Sequence, residues 1–123
     1  MSKPVRPLDQ SAAVLYRGQV IIVQTAQFRD WLNSLRDRKG RLRIDDRLKR
    51  LASGNAGDTK PVGDGVHELR VHFGPGYRVY YLWRDGVIII LLIGGDKGSQ
   101  ARDIAKAKQI AKEADNGIEG LPV

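Results

Sequence analysis

The sequence predicts an α+β domain, on three observations. Val20 to Thr25 is a β-branched run of the kind strands favour. Two apolar stripes at helical spacing follow it: Phe28, Trp31, Leu32 and Leu35, then Ile44, Leu48 and Leu51. From Val66 to Ile93 the pattern changes to short strand-like runs punctuated by Gly-Pro-Gly and Asp-Gly, which are hairpin signals.

Taken in order, Thr25 is positioned to cap the first helix, and Arg38 to Gly40 reads as the joint of a helical hairpin. Gly54 supplies the stop for the second helix. If Gly74 to Gly76 form a three-residue hairpin loop, Phe73 pairs with Tyr77, Val71 with Val79 and Leu69 with Tyr81. Alternation then puts Glu68, Arg70, His72, Arg78 and Tyr80 on one face, and Leu69, Val71, Phe73, Val79 and Tyr81 on the other. The second face is core, and the first is the candidate for chemistry. A two-residue turn at Asp85 and Gly86 places Arg78 opposite Ile93. Val87 to Ile93 is apolar on both faces and reads as the most buried strand. Gly94 to Ser99 lacks the spacing of a phosphate loop and reads as a strand-to-helix turn. Ser99 then caps a last helix with a weak apolar face, Ile104, Ala107, Ala111 and Ala114.

A chain of 123 residues with 41% hydrophobic content suits one domain with one modest core. The expected boundaries are 19–114 for the domain, 1–18 for an extension whose order the sequence leaves open, and 115–123 for a flexible tail. No run approaches the roughly eighteen apolar residues of a membrane span, and Met1 to Gly18 lacks a signal-peptide core, so a cytoplasmic protein with no membrane partner is expected. There is no cysteine, and the two histidines, His67 and His72, fall on opposite faces of one strand. Neither a metal site nor a cofactor is expected.

The net charge of +7 draws the chain to polyanions. Much of it lies in the second helix, at Arg38, Lys39, Arg41, Arg43, Arg47, Lys49 and Arg50. Singly, each is a solvated helix position; together they suit the backbone of RNA or DNA, and an acidic partner protein fits as well. On the polar face, Lys97 emerges beside the Gly74 to Gly76 loop and joins Arg70, His72 and Arg78. Any one of these alone is plainly read as a solvated position on an open sheet face. Cations gathered that closely repel unless an anion is expected, and phosphate is the natural one.

Two strings carry a resemblance: GDTKPVGDGVHELRVHFGPGYRVYYLW and LLIGGDKGSQARDIAKAK, with FRDWLNSLRD and RIDDRLKRLASGNAGD ahead of them. From about Val20 to Lys112 the chain closely resembles the addiction module killer group within the RelE/ParE family of type II toxins. The resemblance implies a compact domain with an N-terminal helical hairpin packed on a small, mainly antiparallel twisted sheet, and a C-terminal helix. It implies a toxin that cuts mRNA in the ribosomal A site without metal, the sugar 2′-hydroxyl attacking the adjacent phosphate. The implied partners are the ribosome, mRNA and a cognate antitoxin, often of helix-turn-helix type, with operator DNA reached only through the antitoxin complex.

Within the resemblance, Arg78 matches the phosphate-binding arginine, Arg70 stands at a catalytic lysine, and Lys97 at a basic residue after the Gly-Gly turn. The chain departs from RelE in having Glu68 at a second lysine, and Arg102, Asp103 and Ile104 near a C-terminal tyrosine. Arginine is a poor base, so the proton shuttle falls first to His72 and second to Glu68. Tyr80 reads as packed or as a base-stacking surface ahead of a role as acid, and Lys60, Arg43, Arg47 and Arg50 are the further RNA-binding candidates. ParE-type relatives poison DNA gyrase by protein contact, and a toxin fold can also act as a non-catalytic binding protein, so both readings stand beside the nuclease. Asp45 and Asp46 point apart on a helix and read as ion-pair partners, Asp58 and Asp64 as turn formers, Trp31 and Trp83 as packing residues.

Overall fold

The computed structural model describes the backbone of residues 14–16 and 20–119, and the side chains of 20–114. In chain order the elements are β1 (Val14–Tyr16), β2 (Val20–Gln24), α1 (Ala26–Ser34), α2 (Arg38–Ala52), β3 (Thr59–Gly63), β4 (Val66–Val71), β5 (Tyr77–Arg84), β6 (Ile88–Asp96) and α3 (Gln100–Glu119). The strands form one sheet in the order β1-β2-β6-β5-β4-β3. Only the β2–β6 pair is parallel, so the α+β domain has a mixed sheet, with short β1 at its edge. β1 falls inside the span read as an extension, and the remainder of that span lies outside the described residues. At the other end the helical backbone continues past 114 to Glu119, and 120–123 lie outside the described residues.

Thr25 caps α1 as its sequence position predicts, accepting from the Phe28 N–H at 3.1 Å. Its own hydroxyl donates to the Leu92 carbonyl at 2.8 Å, which ties the start of the helix to the central strand. The helical joint is Leu35 to Asp37, not Arg38 to Gly40, because the Asp37 carboxylate accepts from the Gly40 N–H at 2.9 Å and starts α2 at Arg38. Gly40 sits inside the helix for a steric reason: a Cβ there would lie 2.6 Å from the Tyr77 ring.

Both hairpins differ in register from the sequence reading. β4 pairs Val71 with Tyr77 and Leu69 with Val79, so the loop is His72 to Gly76, closed by the Gly76 N–H on the Phe73 carbonyl at 3.0 Å. The sum of partner numbers changes by two, which preserves the face assignment but takes His72 and Phe73 out of the ladder. In the next hairpin Asp85 and Gly86 both have positive φ, 55° and 71°, as an Asp-Gly turn requires. The ladder nevertheless starts at Arg84 with Ile88, and a bulge at Tyr80/Tyr81 brings Arg78 opposite Gly95, not Ile93.

Both faces of the sheet are covered. α1 and α2 bury Phe28, Ile44 and Leu51 against Leu69, Val79, Tyr81 and Ile89. α3 buries Ala107, Ile110 and Ala111 against Val66, Tyr80, Leu82, Ile90 and Leu92. The face expected to be open is therefore closed along most of its length; alanines weak in hydropathy let the helix lie close. β6, between β2 and β5, buries Ile89, Ile90, Leu91 and Leu92 in succession. Gly94 and Gly95 belong to this strand, not to the turn. A Cβ on Gly94 would overlap the Trp31 ring of α1, and one on Gly95 would overlap Asp103 of α3, so the pair admits a helix on each side. The turn itself is Lys97–Ser99, capped by Asp96, which accepts from the Gly98 N–H at 2.8 Å; Ser99 bonds onward to Asp103.

Candidate anion-binding site

Arg70 on β4 and Arg78 on β5 are cross-strand partners, a placement that repels without a counter-charge. Glu68 supplies it from beneath, fully buried, accepting from Arg70 Nε at 3.1 Å, Tyr80 Oη at 2.9 Å and Gln100 Nε2 at 2.8 Å. Its Oε2 lies 3.8 Å from Arg78 Nε. Burial pushes the Glu68 carboxyl up, yet the hydrogen bonds from Gln100, Tyr80 and Arg70 outweigh it and hold the group below its ordinary value. Tyr80 is shifted the other way, by burial and by its bond to that carboxylate. Arg78 also donates to the Gly76 carbonyl at 3.1 Å, so the guanidinium braces the hairpin loop. Its Nε is buried and has no hydrogen-bond partner among the described residues; charge alone joins it to Glu68.

Past the reach of α3 these groups open into a cleft of about 440 Å³ lined by Arg70, His72, Arg78, Lys97 and the Phe73 to Gly76 loop. Lys97 stands exposed on the turn after β6. Three cations over one buried carboxylate leave an excess of positive charge, the arrangement that holds a phosphate. His72 is 73% exposed and donates from Nε2 to Asp58, and that bond is the first cause holding the Asp58 carboxyl below its ordinary value.

A second hollow of about 200 Å³ shares His72 and Phe73 with the first and is floored by Arg43, Arg47 and Arg50 of α2. Arg43 lies over the Phe73 ring at 4.9 Å. Arg47 is a brace, donating to the carbonyls of Ala56 at 3.0 Å, Arg70 at 3.3 Å and Asp58 at 3.4 Å. Its guanidinium is pulled below the ordinary arginine value by burial, then by Arg50.

The structure thus brings Arg70, His72, Arg78 and Lys97 together. Glu68 and Tyr80 sit on the same face but under α3, so neither meets a ligand in the cleft: the carboxylate read as a second base orients arginines, and the tyrosine is packed. Arg50 is paired with Asp46 at 3.3 Å, and Lys60 is exposed on β3 outside both hollows. Sequence reasoning missed Asp58 and Gln100. Asp58 was read as a turn former, and only the loop geometry reveals its carboxylate on His72; Gln100 carried no signal, because its partner lies 32 residues away. A third hollow, of about 500 Å³, runs along α3 by Asp64, Lys108 and Lys112, apart from this cluster.

The family model described as phage-derived protein Gp49-like (DUF891) matches residues 30–114, a span that contains every residue of the cleft. An uncharacterized protein of Haemophilus influenzae is 48% identical over 92 residues, covering 75% of this chain and 93% of its own length. No solved structure matches the chain. Among the described residues no helix is long and apolar enough to cross a membrane.

Proposed function

The chain belongs to the Gp49-like family, a toxin-like family of the addiction module killer type, and we propose that it is a RelE-like toxin that cuts mRNA on the ribosome. The observation that carries this reading is the pair of guanidinium groups aimed by one buried carboxylate into a cleft completed by Lys97 and rimmed by His72. In the proposed step the ribose 2′-hydroxyl loses its proton to His72 while its oxygen bonds to the neighbouring phosphorus. Arg70, Arg78 and Lys97 hold the charge that builds on the phosphoryl oxygens. The bond to the 5′ oxygen breaks, that oxygen takes a proton, and a cyclic phosphate remains. The cationic hollow on α2 would carry the flanking backbone. A cognate antitoxin, of helix-turn-helix type, would restrain the toxin in the cytoplasm and alone bring the complex to operator DNA.

The burial of Glu68 and Tyr80 favours a second reading. Among the described residues it leaves His72 as the proton carrier at the cleft, and a gyrase inhibitor acting by protein contact needs none. Primer extension on cellular mRNA within minutes of induction separates the two. Cuts at translated codons are expected from the wild type and are expected to vanish in Arg78→Ala. Because Arg78 is buried beside Glu68, the exposed Lys97→Ala is run alongside as a variant whose fold is not at stake. Arrested growth with intact mRNA and inhibited supercoiling would overturn the nuclease reading.

A further inference from the structure

We infer that Asp58 is the positioning residue for His72, holding Nε2–H and leaving Nδ1 as the free acceptor on a ring that lines the cleft. This deepens the nuclease reading and rests on it. A low-lying carboxylate is ionised at neutral pH and cannot donate, so the proton between the two belongs to the imidazole. The neutral ring then has one basic nitrogen left, Nδ1, and the ring faces both hollows.

The Asp58 backbone does not behave as a loose loop. Its carbonyl accepts from the Arg70 N–H at 2.9 Å and from Arg47 at 3.4 Å, while Arg47 also clamps Ala56 at 3.0 Å. The backbone that carries the carboxylate is therefore tied to the same strand that carries Arg70. His72, in contrast, has left the β4–β5 ladder and is largely exposed, so nothing in the sheet orients it. A hydrogen bond to an anchored carboxylate is what gives such a ring one orientation.

Charge gives the second reason. Arg70 of β4, Arg78 of β5 and Lys97 beyond β6 line the cleft together with His72. From α2, Arg43, Arg47 and Arg50 line the second hollow with it, and Asp46 is the single acid in that lining. Cations on both sides oppose an imidazolium, and Asp58 is the anion in contact with it. A base that must accept a proton in that setting needs the carboxylate to keep the charged form accessible.

The test follows the His72 ring by NMR titration and the cleavage of ribosome-bound mRNA by pH profile, in wild type, Asp58→Ala and Asp58→Glu. Asp58→Ala leaves the anchoring carbonyl in place. Its His72 titration is expected to move to lower pH, and kcat to fall about 10- to 100-fold with KM little changed. The acidic limb of the rate profile is expected to move with the titration, and Asp58→Glu to restore part of both. An unmoved titration, or an unchanged kcat in a protein that cuts RNA, overturns the inference alone. A wild type that cuts no ribosome-bound mRNA while its titration depends on Asp58 overturns the nuclease reading and with it the catalytic half of the inference; the positioning contact then stands by itself.

Discussion

The two faces of the sheet are built on different terms. Under α1 and α2 the core is apolar, and the hydroxyls of Tyr77 and Tyr81 reach its rim, to Asp37 at 2.7 Å and Thr59 at 2.9 Å. Between α3 and the same sheet, Glu68 and Arg78 of the strands and Asp103 of the helix are buried beside the aliphatic side chains. Buried charges stabilise less than well-packed carbon of the same volume, so the α3 face gives up stability in exchange for the aim of two guanidiniums. The cleft opens from that face. The contrast teaches that the α1/α2 side makes a core of apolar groups alone, while the α3 side adds to its core the charges that aim the cleft arginines.

The largest effect should come from the apolar side. Phe28 is fully buried, and Phe28→Ala is expected to lower stability by about 3–5 kcal/mol in urea unfolding, with the cleft groups unaffected in whatever fraction stays folded. A loss below about 1 kcal/mol would break the contrast, because that face would then not be what holds the chain together.

Next comes Glu68. Removing it leaves Arg70 and Arg78 facing each other without their shared counter-charge, and Glu68→Ala is expected to cost about 3 kcal/mol and to abolish growth arrest. Glu68→Leu sharpens the comparison: it fills the volume but leaves the same arginines and the Tyr80 hydroxyl without their partner, so it should recover little of the stability and none of the toxicity. A toxic Glu68→Leu would show that the arginines aim themselves.

That division explains what could be read from the sequence. The strand and helix positions, the Thr25 cap and the separation of residues 68–81 into two faces follow from local periodicity, which each stretch carries within itself. The helical joint did not, since Gly40 looks like a breaker and serves instead as a landing for Tyr77, 37 residues on. The registers slipped because the Tyr80/Tyr81 bulge and the five-residue loop are set by tertiary packing. The cationic cluster was legible as a group through alternation; which members are exposed was not, because a helix whose face is mostly alanine gives little notice that it will cover a sheet. Asp58, Gln100 and the bracing role of Arg47 are long-range contacts with no local signature.

A smaller effect is expected from pH. The carboxyls of Asp37, Asp58 and Glu68 all sit below their ordinary values; for Asp37 the causes are the Gly40 N–H and then the Tyr77 hydroxyl. A depressed folded-state value means stability is present above the unfolded values of 3.8 to 4.5 and is lost as pH falls through the lower, folded ones. Tyr77 runs the opposite way. Burial, then Asp37, pushes it up to about 12, so its contribution is present below its unfolded value of 10.0 and is lost as pH rises from there through about 12. Tm against pH should therefore fall below about pH 4 and again above about pH 10. In Glu68→Leu the acid fall should be shallower, since the α3 face supplies one of the three carboxyls.

The smallest effect is on α2, where two ion pairs of the same spacing face different surroundings. Asp45–Lys49 at 3.0 Å and Asp46–Arg50 at 3.3 Å are both solvent-exposed i,i+4 pairs, so Asp45→Ala and Asp46→Ala should each cost at most about 0.5 kcal/mol, and less at high salt. Asp46 and Arg50 line the hollow shared with His72 and Phe73, whereas Asp45 and Lys49 do not. Asp46→Ala removes the one acid there and frees Arg50, so RNA affinity at low salt is expected to rise, with a steeper dependence on salt, while Asp45→Ala leaves both unchanged. Equal affinities for the two variants would mean that RNA does not cross this part of α2, and the interface would then be confined to the cleft between Arg70, Arg78 and Lys97.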